Sequence, residues 1–162
     1  MTFRTRKFES LGQATSDVYH FFRDPRAVLE MVTGRAAVSP QLREKLMLAV
    51  TSVNRCRYCS FIHTRLALRE GLSDQDVEKL LGGVIDHVDE DERHALLYAQ
   101  HWADTGGHPD LSARRAVVEA YGEDRTRAIE TAIRAIMLGN YFGNTFDAAL
   151  SKASFGLAGG EH

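Results

Sequence analysis

Prolines and cysteines are scarce in this sequence: three prolines and two cysteines occur among 162 residues. Few prolines favour long helices, because a proline removes a hydrogen bond from a helix interior and bends the helix. Long apolar runs are also missing, since none approaches the roughly 18–20 residues of a membrane span. The basic N-terminus is followed by no apolar signal core. We therefore expect a cytoplasmic protein without a membrane partner.

An excess of charge of either sign is lacking as well. Lysine and arginine together number 20 and aspartate and glutamate 22, which gives a net charge of −2. This balance gives no electrostatic reason to expect a nucleic-acid partner, since nucleic-acid-binding surfaces are strongly basic. The length suits one domain with a substantial core. We predict a single domain over residues 1–162.

The sequence does contain helical periodicity, without the alternation of a β-strand, a low-complexity segment or an internal repeat. Serine or aspartate followed by proline starts two of the predicted helices, and glycines end several. Between an irregular lead-in over 1–11 and a loose tail over 156–162, we predict a compact all-α fold of about seven helices. The predicted helical ranges are 13–23, 25 to about 34, 40 to about 53, 55–70, 73 to about 82, 89–105, 112–121 and 124–152.

The predicted helix that begins at Pro40 is apolar around most of its circumference, so we expect it to be buried. Glu44 lies inside this helix. A carboxylate among apolar neighbours is either turned to solvent or held by a partner, because an unpaired buried charge is costly. The next predicted helix is expected to pack through Phe61, Ile62, Leu66 and Leu68.

Both cysteines lie two residues apart, and a histidine follows the second: Cys56, Cys59 and His63. In a helix each residue advances about 100°, so these three side chains fall on one face. Asn54 is a good N-cap, which would put Cys56 in the first turn. The helix dipole there favours a thiolate over a thiol. We interpret the motif as a site of dithiol–disulfide chemistry.

Other interpretations of the cysteine pair are weaker. Cys56, Cys59 and His63 could hold a metal, but no second Cys/His pair follows. A c-type haem needs a histidine directly after the second cysteine, where this chain has Ser60. A thioredoxin fold needs a neighbouring strand, and none is predicted. We rank redox chemistry first, metal binding second and a plain structural role for buried cysteines third.

Four further histidines recur every seven residues: His87, His94, His101 and His108. Seven helical residues rise roughly 10.5 Å, which is too far for neighbours to share a metal at bond lengths of about 2 Å. We interpret these histidines as surface or satisfied polar residues and predict no metal ligands and no cofactor.

The segment from Ser39 to Gly71 resembles the alkylhydroperoxidase D-like (AhpD-like) family of the carboxymuconolactone decarboxylase superfamily. The resemblance rests on a glutamate twelve residues before the first cysteine, the cysteine pair with its histidine, and a block at the end of the same helix. These residues are Glu44, Cys56-x-Tyr58-Cys59-x-x-x-His63 and Ala67-Leu68-x-x-Gly71-Leu72-Ser73. The resemblance, with its motif core at 39–73, implies an AhpD-like helical fold and a homo-oligomer, a trimer or a hexamer.

The resemblance also implies a proton relay. By position, Cys59 would be the peroxidatic thiol and Cys56 the resolving thiol, while His63 passes the proton and Glu44 orients His63. The helix-terminus argument alone favours Cys56 as the thiol of lower pKa. Tyr58 stands where the best-known member has a second histidine, and we include it among the candidate site residues.

The implied function is a thiol-dependent peroxidase that reduces alkyl hydroperoxides in antioxidant defence. Its partners would be a small hydroperoxide and an external dithiol reductant, which is a lipoyl group in some family members; no metal or flavin is implied. The alternatives are a disulfide reductase without peroxide specificity, a redox sensor, and a metal-binding protein. The decarboxylase branch generally lacks the cysteine pair, so its presence here argues against lactone decarboxylation.

Overall fold

The structure is a computed structural model that describes residues 4–86 and 88–154. Its described part consists of seven α-helices without a β-strand, as the sequence predicts. In chain order they are α1 (Leu11–Phe22), α2 (Pro25–Val32), α3 (Pro40–Asn54), α4 (Arg57–Arg69), α5 (Asp74–Leu81), α6 (Glu90–Asp104) and α7 (Leu111–Ala153). None of these helices is both long and apolar enough to cross a membrane.

Local capping sets the starts of several helices. The side chains of Asp24 and Ser39 accept hydrogen bonds from the first turns of α2 and α3, and a proline follows each of them. Ser73 forms a reciprocal capping box with Asp76 at the start of α5. Each cap satisfies backbone N–H groups that have no partner within the helix.

Helix α3 is the centre of the fold, and it packs against α4, α5, α6 and α7. Every residue from Leu46 to Asn54 is buried, which confirms the prediction of a buried helix. Glu44 is also buried, with 1% of its surface exposed. A carboxylate at this position therefore needs a partner inside the protein.

The junction between α3 and α4 differs from the predicted one. Asn54 is the last residue of α3 rather than the N-cap of α4. Arg55 turns the chain with a left-handed φ of 51°, and Cys56 itself is the N-cap of α4. The difference arises because Asn54 is fully buried and its side chain pairs with Asn140 instead of capping a helix.

The last predicted helices, 112–121 and 124–152, lie within α7. Gly122 interrupts α7 with non-helical angles, φ 75° and ψ 166°, so the predicted break is a sharp kink. The part of α7 after this kink packs on α3, α4 and α6. The predicted tail over 156–162 lies outside the described residues.

Residues 4–10 of the predicted lead-in are not helical, and they fasten the C-terminal end of α3 to α7. The amides of Arg4 and Arg6 donate to the carbonyls of Val53 and Asn54 at 3.2 and 3.3 Å. The amide of Phe8 donates to the Thr145 hydroxyl at 3.1 Å. These bonds join the lead-in to the end of α3, just before the cysteine motif, and to α7.

One prediction about α4 is wrong for three of its four residues. Leu66 is partly buried, but Phe61, Ile62 and Leu68 are 58%, 52% and 37% exposed. Periodicity identifies an apolar face without revealing what covers it. These side chains leave an apolar surface on α4.

Candidate active site

The two thiols of the motif lie at the start of α4, and both are free and buried. Cys56 is fully buried, and its Sγ accepts a hydrogen bond from the Cys59 amide at 3.3 Å. Cys59 is 8% exposed. The sulfur of Cys56 therefore occupies the capping position that an oxygen usually takes.

The Cys56 and Cys59 side chains are hydrogen-bonded to each other, and this bond moves their pKa values apart. The Cys59 thiol, assisted by the amides of Cys59 and Tyr58, lowers the pKa of Cys56 to about 7 against the opposing effect of burial. The same bond, together with burial, raises the pKa of Cys59 above its ordinary range. The pair therefore holds one thiolate near neutral pH, on Cys56, as the helix-terminus argument indicates.

Two glycines of α7, Gly139 and Gly143, lie beside the two sulfurs. A Cβ atom at Gly143 would lie 2.8 Å from the Cys56 Sγ and 3.9 Å from the Cys59 Sγ. A Cβ atom at Gly139 would lie 4.0 Å from the Cys59 Sγ, which is an ordinary contact. Gly143 is thus required by the close approach of α7 to the thiols.

His63 is held from behind by Glu44. The His63 Nδ1 lies 2.8 Å from Glu44 Oε2, and the second carboxylate oxygen accepts from Arg43 Nε at 3.1 Å. Because a carboxylate only accepts, Nδ1 carries the proton of this bond. The remaining ring nitrogen, Nε2, is left for a substrate or a proton.

Cys59 and His63 line the same cavity, which has a volume of about 600 Å³. Its wall is formed by α3, α4 and α7. The polar side-chain groups among its lining residues are the His63 imidazole, the Tyr58 hydroxyl and the Cys59 thiol, and the other lining residues are apolar. The lining residues are Met47, Tyr58, Cys59, Ile62, His63, Ala135, Ile136, Gly139, Phe142, Gly143 and Phe146. Cys56 lies behind this wall, so Cys59 is the sulfur that a bound molecule would meet.

Tyr58 contributes its ring to the cavity, while polar neighbours hold its hydroxyl. The hydroxyl donates to Asp147 Oδ1 at 3.0 Å and accepts from Arg57 at 2.8 Å. Arg57 also forms an ion pair with Asp147. The structure thus brings His63 and Cys59 to the cavity, with Glu44 behind His63 and Cys56 behind Cys59, and ties the phenol of Tyr58 to α7.

A buried amide network behind the thiols was missed from the sequence. Asn140 accepts from Asn54 at 3.1 Å and donates to the Thr51 hydroxyl at 3.2 Å. Its side chain also hydrogen-bonds the Cys59 sulfur. The one signal in the sequence is an asparagine inside the most apolar part of α7, since a buried amide needs partners.

Within the described residues, no three histidine, cysteine or acidic side chains are arranged to hold a metal. Of the histidines spaced by seven, His94 and His108 are exposed, and His101 Nε2 lies 3.2 Å from Asp110 Oδ2. His87 lies outside the described residues.

Comparison with known proteins identifies the family to which the chain belongs. The chain belongs to the carboxymuconolactone decarboxylase family, whose sequence model matches residues 20–101, about half of the chain. The match includes Glu44, both cysteines and His63, and it ends before α7. No curated protein and no solved structure matches the chain significantly.

The two glycines of α7 give a matched pair of substitutions. Gly143→Ala should lower the free energy of unfolding by about 1–3 kcal/mol, because its methyl group overlaps the Cys56 sulfur. Gly139→Ala should raise it by up to about 1 kcal/mol, since alanine favours a helix more than glycine does. Urea denaturation of the reduced proteins measures both. Equal effects would contradict the close approach.

The hydrogen-bonded thiol pair predicts a thiolate that titrates near pH 7. The ultraviolet absorbance of the thiolate should rise by one thiolate per chain as the pH increases through about 7. Cys59→Ala should raise the pKa of Cys56, because the sulfur loses its strongest hydrogen-bond donor. Cys56→Ala should remove the neutral-range titration altogether. A titration near pH 7 that survives in Cys56→Ala would assign the thiolate to Cys59 instead.

Proposed function

We propose that this protein is a thiol-dependent peroxidase that reduces alkyl hydroperoxides through its Cys56–Cys59 dithiol, in antioxidant defence. One observation carries the proposal. Cys59 shares an apolar cavity with His63, and the buried carboxylate of Glu44 holds His63 at 2.8 Å. A nucleophilic sulfur, a proton carrier and its orienting group are therefore adjacent, as covalent catalysis requires.

In the proposed reaction Cys59 is the peroxidatic thiol, because it faces the cavity. Its sulfur attacks the terminal peroxide oxygen and breaks the O–O bond. The proton of Cys59 moves along the existing hydrogen bond to the Cys56 thiolate. Cys56 fits the role of the base because it is already ionised near pH 7 and is hydrogen-bonded to Cys59, so it can accept the proton as the Cys59 sulfur attacks.

The leaving alkoxide takes a proton from His63, and the products are an alcohol and a sulfenic acid on Cys59. For this step the imidazole must hold protons on both nitrogens. The Glu44 carboxylate offsets that positive charge, and it keeps Nε2 as the nitrogen that gives the proton. His63 then regains a proton from solvent.

The second half of the reaction restores the dithiol. Cys56 attacks the sulfenic sulfur of Cys59, a disulfide forms, and water leaves with the Cys56 proton. An external dithiol reduces this disulfide by exchange. Because only Cys59 reaches the cavity, the reductant must be narrow, and a lipoyl group on a flexible arm fits that requirement. We also propose a cytoplasmic location, where free dithiols persist.

The cavity favours an organic hydroperoxide over hydrogen peroxide. Met47, Ile62, Phe142 and Phe146 are among the residues that line it. Burial of an alkyl group against such side chains contributes about 25 cal/mol per Å² of apolar area. Hydrogen peroxide has no apolar group to contribute this energy.

We further propose that the chain forms a homo-oligomer, a trimer or a hexamer. Phe61, Ile62, Phe142 and Phe146 are all more than half exposed, and the last three line the cavity. A second copy that covers them would bury apolar area and enclose the site. Light scattering should give a multiple of 18.1 kDa, and a mass of 18.1 kDa at micromolar concentration would contradict it.

The reaction predicts a defined stoichiometry. One equivalent of cumene hydroperoxide should remove both thiols of each reduced chain and yield one intramolecular disulfide. A thiol titration and the loss of two hydrogens in the intact mass measure this outcome. Cys56→Ser should react more slowly, because the base is gone, and should stop at a sulfenic acid on Cys59, because the resolving sulfur is gone.

Two controls separate peroxide reduction from general disulfide exchange. Cys59→Ser should be unreactive toward the hydroperoxide, and cumyl alcohol should oxidise no thiol. A different pair of results would contradict a peroxidase and support a disulfide reductase. In that case small disulfides would oxidise the wild type, and the hydroperoxide would react with it no faster than with a free thiol in solution.

A further inference from the structure

A second cavity of about 300 Å³ lies between α1, the turn after α6 and α7. It shares no lining residue with the thiol cavity. The residues that matter for its chemistry are Asp17, His20, Arg23, Trp102, His108 and Arg134. The proposed peroxidase reaction uses none of them.

Positive charge predominates in this cavity. Arg23 and Arg134 carry fixed positive charges, and neither forms an ion pair with a described residue. His20 and His108 add two groups that can become positive. Asp17 is the one carboxylate among the lining residues, and it already accepts a hydrogen bond from Gln13. With both histidines neutral, the charged side chains leave a net charge of one positive unit.

The cavity wall also carries hydrogen-bond donors that the described protein does not use. The indole N–H of Trp102 and the hydroxyl of Tyr141 form no hydrogen bond with a described residue, although the two residues are only 4% and 3% exposed. The Arg134 guanidinium is fixed over the Trp102 ring, 4.8 Å from its centre. Neither the Trp102 nitrogen nor the Tyr141 oxygen is among the buried side-chain atoms without a partner in the described part of the chain, so both donors open to the cavity and are available to a molecule bound there.

We propose that this second cavity binds a small phosphate dianion, either free phosphate or the phosphate group of a small metabolite. Arginine presents a planar fork of donors that matches phosphate oxygens. Two arginines outweigh the single carboxylate, and a dianion gains more from them than a monoanion does. A volume of about 300 Å³ lies at the lower end of small-ligand sites, which suits a compact ligand.

Trp102 is the only tryptophan of the chain, so its fluorescence reports directly on this cavity. Reduced wild-type protein is titrated with inorganic phosphate, phenyl phosphate or acetate, and potassium chloride keeps the ionic strength constant. Both phosphates should give a saturable change with a Kd on the order of 1 mM or lower. Acetate should bind more weakly. Tighter binding of phenyl phosphate identifies a phosphorylated metabolite, and equal affinity identifies the free ion.

Charge substitutions test the site with a matched control. Arg23→Gln and Arg134→Gln should each weaken phosphate binding about tenfold or more, as is typical when a hydrogen bond to a charged group is lost. Asp17→Asn should tighten binding, because it removes the one repulsive charge. Arg115→Gln, at an exposed position of α7 outside the cavity, should leave the affinity unchanged.

The phosphate affinity of Arg134→Gln is also measured by isothermal titration calorimetry, because this change alters the surroundings of Trp102 and hence its fluorescence. Arg134→Lys keeps the charge and controls for loss of the stacking contact. Absence of saturable phosphate binding in the wild type would overturn the proposal. So would an effect of Arg115→Gln equal to that of Arg23→Gln, or weaker binding in Asp17→Asn.

Discussion

The hydrogen bond between Glu44 and His63 joins the most buried helix of the fold to the helix that carries the thiols. Glu44 could not remain charged in this interior without partners, and His63 and Arg43 supply them at 2.8 and 3.1 Å. In return, the carboxylate fixes the ring of His63 and determines which nitrogen faces the cavity. This contact adds a polar link to the packing of α4 on α3, and in the proposed reaction it also sets which nitrogen gives the proton.

The sulfur side of the site depends on α7. Gly143 allows this helix to approach the thiols, and Asn140 contributes a hydrogen bond to Cys59. Cys56, as the N-cap of α4, receives backbone N–H groups that stabilise its thiolate. The pair therefore combines an acidic sulfur that is buried with a less acidic sulfur that is accessible. In the proposed reaction, the hydrogen bond between them lets the first act as the base of the second.

Local features of the sequence predicted the helices and the family, because capping residues and helical periodicity are read over a few neighbouring positions. They failed where the structure depends on contacts between residues that are far apart in the sequence. Asn54 has the chemistry of an N-cap, but its partner Asn140 lies 86 residues away. The role of Gly143 is visible only once α7 folds back onto Cys56. Phe61 has the periodicity of a core residue, and a single chain leaves it exposed.

The most direct test of the relay is a double-mutant cycle at Glu44 and His63. Oxidation of the thiols by cumene hydroperoxide is timed for wild type, Glu44→Gln, His63→Asn and the double variant, and the free energy of unfolding of each is measured alongside. Each single change should slow oxidation by about 10²–10⁴-fold. The double variant should be little slower than either, because the two groups act as a unit. Multiplied losses, or a Glu44→Gln protein as fast as wild type, would contradict the relay.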